Sequence, residues 1–353
     1  MTSEAAPFYS VGVEVFTHSA AAPAVPDGPL ARVARLVQPQ LDEVEARIAQ
    51  QAAAFDPAIE GYVSYAVGSR GKRLRPIIAL LSGGATGPVN GEHIDLAVVV
   101  ELIHLATLVH DDIMDEAERR RGQPTVNARW GNSLSVLLGD CLFAHALNLA
   151  TNFDNADISR VIARAAREVC SGEIIQTQHR FDLHLATEDY LRIVKMKTGS
   201  LFSAASELGA TINSAEPAVI SALKEYGMKI GAAYQIYDDC VDIAGSEKET
   251  GKTLGTDLRK GKLTLPVLML LQSAQAIDRE RFCALILDDK SEEIAQLLRS
   301  ANNNGALAAS LDLGQELIRK AQHELDRLPS NPYTDALLQL GDALRELLEQ
   351  FHA

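Results

Sequence analysis

The chain has 353 residues, 47% of them hydrophobic, and a formal net charge of −14 at pH 7. That is enough apolar material for a sizeable core, and the acidic balance argues against a nucleic-acid partner, which would need a broad basic surface. Cys141, Cys170, Cys240 and Cys283 lie far apart with no CxxC pair, which argues against a disulfide framework or a zinc site and fits a reducing, cytoplasmic setting.

Residues 1–28 carry Pro7, Pro23, Pro26 and a run of alanines, show no sustained period, and read as a poorly ordered N-terminal tail. The segment lacks a basic start followed by an apolar core, so no secretory signal is expected. From Leu30 onward the pattern is helical: Leu41, Val44 and Ile48 keep three- and four-residue spacing with charges between them. Glu92 to Arg121 contains neither Gly nor Pro, which predicts a helix of about 25 residues. Further helices are predicted from Leu134 to Asn152, Ser159 to Phe181, Thr187 to Leu208, Pro217 to Ala244, Leu263 to Gln275, Ala306 to Leu328 and Thr334 to His352. No segment alternates like a strand bounded by hairpin turns. None reaches the roughly 18 uninterrupted apolar residues of a transmembrane segment; the best candidate, Ala97 to Val109, is broken by Glu101 and His104. The expectation is one all-α catalytic domain over residues 29–353, a large helical bundle around a central cavity.

Two copies of DDxxD stand out, Asp111-Asp112-Ile113-Met114-Asp115 and Asp238-Asp239-Cys240-Val241-Asp242. Residues i and i+4 share a helix face, so Asp111 and Asp115 point one way, as do Asp238 and Asp242. Opposed carboxylates repel unless something cationic lies between them. Mg2+ takes oxygen ligands and completes its shell with water and substrate phosphate. One such motif in an acidic chain reads more simply as a solvated helix end. Two, each flanked by basic and polar residues suited to an anion, point to phosphate chemistry.

Two compact basic knots accompany them, Gly71-Lys72-Arg73-Leu74-Arg75-Pro76 and Arg119-Arg120-Arg121 closed by Gly122. Arginine offers a fixed fork of donors that matches phosphate oxygens, and lysine a point charge. His104, Thr107, Asp111 and Asp115 form one polar stripe on an otherwise apolar helix. The run from Thr250 through Lys252 and Asp257 to Lys262 follows the second DDxxD, and its glycines and lysines read as a mobile, phosphate-facing loop without P-loop spacing.

Together these residues resemble the all-trans isoprenyl diphosphate synthase family. The matching blocks, in family order, are GKRLRP at 71–76, HLATLVHDDIMDEAERRRGQPT at 104–125, GEIIQ at 172–176, KTG at 197–199, YQIYDDCVD at 234–242 and TGKTLGTDLRKGKLTLP at 250–266. The resemblance implies that Asp111, Asp112, Asp115 and Asp238, with Asp239 and Asp242, bind Mg2+, three ions per site once substrate is present. Arg120, Lys197, Thr198, Gln235, Lys252 and Lys262 would grip the allylic diphosphate. Lys72, Arg75, His104 and Arg121 would hold isopentenyl diphosphate, while Glu173 and Gln176 orient water on the metals. A homodimer is also implied. The family has two glycines before KRxRP, whereas Ser69-Arg70-Gly71 keeps only the second.

Product length in such enzymes is set by the depth of the apolar tunnel beneath the first aspartates. Enzymes that stop at farnesyl or geranylgeranyl place an aromatic residue four or five positions upstream of that motif; here those positions are Thr107 and Ala106, both small. The reading is a long-chain synthase, in the hexaprenyl to decaprenyl range, with a geranylgeranyl or farnesyl synthase as the alternative. A terpene cyclase would not need the basic residues of an isopentenyl site, and a non-catalytic subunit of a heteromeric synthase would have lost aspartates or basic knots.

Overall fold

A computed structural model describes residues 28–69, 71–245, 255–287, 293 and 305–351. The tail expected at 1–28, Gly28 apart, and the predicted ligand Lys252 lie outside the described residues. The fold is helical nearly throughout: α1 (Pro29–Ala34), α2 (Gln38–Gln50), α3 (Pro57–Val67), α4 (Leu74–Thr86) and α5 (Gly91–Met114) come first. A short hairpin of β1 (Arg119–Arg120) and β2 (Gln123–Pro124) follows, then α6 (Val126–Trp130), α7 (Asn132–Ala150), α8 (Ala156–Gln178) and α9 (Thr187–Val194). A π-helical turn over Lys195–Gly199 leads into α10 (Ser200–Ile212) and α11 (Pro217–Ala244). The chain closes with α12 (Thr256–Arg259), α13 (Leu265–Ser273), α14 (Ala276–Leu287), α15 (Ala306–Glu324) and α16 (Pro332–Glu349).

α5 begins at a capping box, in which the Asn90 side chain accepts from the backbone N–H of Glu92 and His93 while His93 reaches back to the Asn90 N–H. Its face of Leu96, Val99, Val100, Leu102 and Ile103 is wholly buried, which makes it the central rod of one apolar cluster shared with α4 and α10. α11 starts at Pro217 and stops before Gly245, and its C-terminal half joins α13 and α15 in a second cluster. Glycines let α10 and α11 approach closely: a Cβ at Gly227 would lie 2.5 Å from the Phe202 carbonyl oxygen. The two long helices thus meet the same neighbour and carry their aspartates into one cleft.

Two expectations are corrected. The helix of about 25 residues expected within Glu92–Arg121 is α5, 24 residues long, but no strand was expected after it, and the backbone turns there into β1 and β2, paired Arg119 with Pro124 and Arg120 with Gln123. The helix predicted from Thr187 to Leu208 is divided by the π-turn, a device common at functional sites. Both α5 and α7 are long and apolar enough to cross a membrane by composition, although most of the apolar window of α5 is buried inside the protein.

Candidate active site

The end of α5 places Asp111 and Asp112 in the last helical turn and Asp115 at the C-cap. Asp112 is 5% exposed, and its Oδ1 accepts from Arg120 Nε at 2.9 Å and Nη2 at 2.7 Å. The hairpin that follows α5 is what folds Arg120 back onto Asp112. Asp115 Oδ1 accepts from Lys262 Nζ at 2.7 Å, with Arg180 Nη2 at 3.9 Å and Lys260 Nζ at 4.0 Å. Burial opposes ionisation of Asp115, yet Lys262, Lys260 and Lys197 outweigh it and hold the carboxyl below its ordinary range. Lys262, expected in a mobile loop, is 7% exposed.

The π-turn carries Lys197 and Thr198. Lys197 pairs with Glu173, donates to Gln176 Oε1 at 3.1 Å and stands 3.9 Å from Asp111 Oδ2. Burial alone would favour neutral Lys197, but Asp111 and Glu173 keep it charged and raise its pKa. Asp111 is pushed above the usual carboxylate range by burial, with Lys197 opposing and Glu173 adding to the rise.

On α11 the second motif is tied differently. Both oxygens of Asp239 are engaged: Tyr190 Oη donates to Oδ2 at 2.5 Å and Gln235 Nε2 to Oδ1 at 2.9 Å, while Thr198 Oγ1 donates to Gln235 Oε1 at 2.8 Å. Burial, then the neighbouring Asp257, pushes Asp239 up to about 8. Asp242 accepts from Thr256 Oγ1 at 3.0 Å and from the Asp257 backbone N–H at 3.4 Å. Asp257 is raised to about 6 by burial and by Asp242, with Asp115 and Asp238 adding to the repulsion. Carboxylates of the two motifs therefore sense one another through Asp257, with lysines between them. A cleft of about 420 Å3, open to solvent, lies beside them, and Lys197, Thr198, Gln235, Asp239, Asp257 and Lys262 line it.

A second set of cations lies beside it. Arg75 stacks over the Phe202 ring at 4.6 Å, and its buried Nε has no hydrogen-bond partner. Arg121, at φ +51, donates from Nη1 to the carbonyl of Ser69 at 3.1 Å and to its Oγ at 3.2 Å. Burial lowers the pKa of both arginines, and for Arg121 the nearby Arg73 and Arg120 lower it further. Lys72 Nζ lies 5.6 Å from the ring centroids of Tyr234 and Tyr237. His104 is held neutral by burial and by Arg75 and Arg121. The Thr107 hydroxyl is spent on the His104 carbonyl at 2.7 Å, and Ala106 is fully buried.

Sequence reasoning missed Tyr190, Arg180 and Asp257 as site residues. Asp257 stood inside a quoted run next to the second motif; Tyr190 and Arg180 carried no local signal. Among the described residues no group of three or more His, Cys, Asp or Glu is already gathered as a metal centre. The donors are nonetheless all oxygens, mutually repelling and backed by basic groups, which suits a hard divalent ion that keeps water and phosphate in its shell.

Carboxylates and cations gathered this way in one interior cleft are what an enzyme that holds and releases diphosphates needs. The family model for polyprenyl synthetases matches residues 56–301, and the chain belongs to that family, whose members are trans-prenyltransferases. It is 34% identical to the all-trans-nonaprenyl-diphosphate synthase (geranyl-diphosphate specific) of Rhodobacter capsulatus over 310 residues, 84% of this chain and 95% of that one. It is 32% identical to a short chain isoprenyl diphosphate synthase of Methanothermobacter thermautotrophicus over 280 residues, 78% of this chain and 86% of that one. The crystal structure of a polyprenyl synthase from Caulobacter crescentus CB15, complexed with calcium and isoprenyl diphosphate, superposes with a TM-score of 0.85 at 34% identity, covering 91% of this chain and 99% of that one.

Proposed function

We propose that the chain is a Mg2+-dependent long-chain polyprenyl diphosphate synthase, adding isopentenyl diphosphate repeatedly to an allylic diphosphate until a hexaprenyl to decaprenyl product is released. The observation that carries this reading is the sorting of the cations. Arg120, Lys197 and Lys262 are paired directly with carboxylates of the cleft, whereas Arg75 and Arg121 make no salt bridge among the described residues, Arg75 lying on the Phe202 ring and Arg121 on Ser69. Two anion sites of different make-up suit two diphosphate substrates.

Asp111, Asp112, Asp115, Asp238 and Asp242 would hold Mg2+, which when bound neutralises charge on the allylic diphosphate. The side chains of Arg120, Lys197 and Lys262 stabilise that leaving group as its C–O bond breaks. Lys72, Arg75, His104 and Arg121 fix the isopentenyl diphosphate so that its double bond attacks the allylic carbon. A carbon–carbon bond forms and the proton lost passes to the departing diphosphate, so no dedicated side-chain base is needed. Asp239, tied to Tyr190 and Gln235, serves chiefly to set Gln235 and Thr198.

The long-chain assignment is supported by the small residues Ala106 and Thr107 below Asp111 and by likeness to a nonaprenyl synthase; the short-chain relative shows that overall identity alone does not fix length. The catalytic unit takes in residues 29–353 as one domain and works as a homodimer through α7, where Val136 is 43% and Leu137 64% exposed. The test is diphosphate release by the purified chain from farnesyl diphosphate. Release that requires both Mg2+ and isopentenyl diphosphate supports the reading, and release without isopentenyl diphosphate would make the protein a lyase.

A further inference from the structure

The basic run at residues 72–75 contains one cation to which the substrate reading gives no task. Arg73 is 7% exposed, the most secluded of the three, and sits at φ +51 immediately before α4. Its Nε donates to Glu45 Oε1 at 2.5 Å and its Nη2 to Glu45 Oε2 at 3.1 Å, while Nη1 donates to Glu101 Oε1 at 2.6 Å. One guanidinium thus joins the loop before α4 to α2 and α5. Glu101 is 3% exposed and lies one helical turn ahead of His104, on the stripe that leads to Asp111. Two carboxylates around one arginine leave a surplus negative charge, and Glu101 also attracts the guanidinium groups of the part-buried Arg75 and the exposed Arg121.

We propose that Arg73 and Glu101 are positioning residues for the isopentenyl diphosphate site. By clamping the loop between Lys72 and Arg75, they set the spacing of those cations, and Glu101 supplies a counter-charge that orients Arg75 and Arg121 before the anion arrives. Neither residue touches substrate. A planar fork bridging two carboxylates explains why the position is arginine: a single ammonium could not span both. The inference rests on the reading of Lys72, Arg75 and Arg121 as the isopentenyl diphosphate cations.

Breaking a buried ion pair from one side destabilises a protein, while replacing both partners by apolar groups of similar volume is often neutral. That difference separates positioning from mere structure. The test compares Glu101→Gln, the paired variant Arg73→Met with Glu101→Leu, and Arg121→Ala. Melting temperature, kcat and the KM of each substrate are measured for all three. The expected result is a rise of at least about tenfold in the KM for isopentenyl diphosphate in both clamp variants, equivalent to about 1.4 kcal/mol. The allylic KM should stay within about threefold, and the paired variant should recover melting temperature without recovering the isopentenyl KM. Should Glu101→Gln not fold, the paired variant decides, with Glu45→Gln at the half-exposed end of the clamp giving a smaller rise. Recovery of both stability and KM in the paired variant, or an equal rise for both substrates, overturns the proposal. A raised isopentenyl KM in Arg121→Ala beside unchanged clamp variants overturns the clamp alone; an unchanged KM in Arg121→Ala overturns the site reading and the clamp with it.

Discussion

Gly71→Ala is a perturbation whose consequence follows from one contact. An added Cβ would stand 2.6 Å from Arg121 Nη2 and 2.9 Å from its Cζ and Nη1, well inside van der Waals contact. What lies in the way is the far end of a flexible side chain, so the strain is relieved by swinging the guanidinium rather than by moving backbone. Gly71 is not at positive φ, so the alanine also stiffens the unfolded chain, a gain of about 0.4–1 kcal/mol. Set against this are the Arg121 bonds to Ser69, worth about 0.5–1.5 kcal/mol each. The melting temperature should therefore change little. The displaced cation, however, loses a charge-assisted bond to diphosphate of about 1.5–3 kcal/mol, or roughly 10- to 150-fold in affinity. Steady-state kinetics with each substrate varied in turn, beside a thermal melt, measure both quantities. An unchanged isopentenyl diphosphate KM, or an equal rise for the allylic substrate, would refute the assignment of Arg121 to the second anion site.

Asp111→Ala and Asp238→Ala should each lower turnover by at least about a hundredfold, as loss of one charge-stabilising group in a cleft does, with folding retained by circular dichroism; excess chelator should abolish activity of the parent enzyme and added Mg2+ restore it. Ala106→Phe places a ring at a fully buried position, costing about 1–3 kcal/mol of stability, and should shift the released product toward farnesyl or geranylgeranyl diphosphate by chromatography; an unaltered product profile counts against Ala106 as a wall of the growing chain. Leu137→Glu, on the exposed face of α7, should convert the protein to monomer in light scattering, and a persisting dimer would place the interface elsewhere.

The parts of the fold legible in the sequence were those with local causes. α11 runs from Pro217 to the residue before Gly245, as those punctuating residues and its apolar spacing predict. The length of α5 was legible, but the hairpin after it was not, because its two-residue strands leave no alternating pattern. The chain leaves the helix where tertiary ties take over: the Ala117 N–H reaches the Asp112 carbonyl, Thr125 Oγ1 donates to the Ala117 carbonyl at 2.5 Å, and Arg120 closes on Asp112. The π-turn that carries Lys197 and Thr198 likewise lacks a local signature. Motif spacing pointed to the carboxylates and cations of the cleft, but their partners came from elsewhere in the chain. Lys262 looked like part of an open loop and is buried against Asp115, a contact only folding creates. Glu101 read as an interruption of an apolar run, and its reason is the arginine brought to it from the start of α4.

The most direct test of the account is the length of what the enzyme makes. The purified chain, supplied with Mg2+, an allylic starter and isotopically labelled isopentenyl diphosphate, should incorporate several isopentenyl units and release a polyprenyl diphosphate between hexaprenyl and decaprenyl. Failure to incorporate label, or product that ends at farnesyl or geranylgeranyl diphosphate under excess isopentenyl diphosphate, would contradict it.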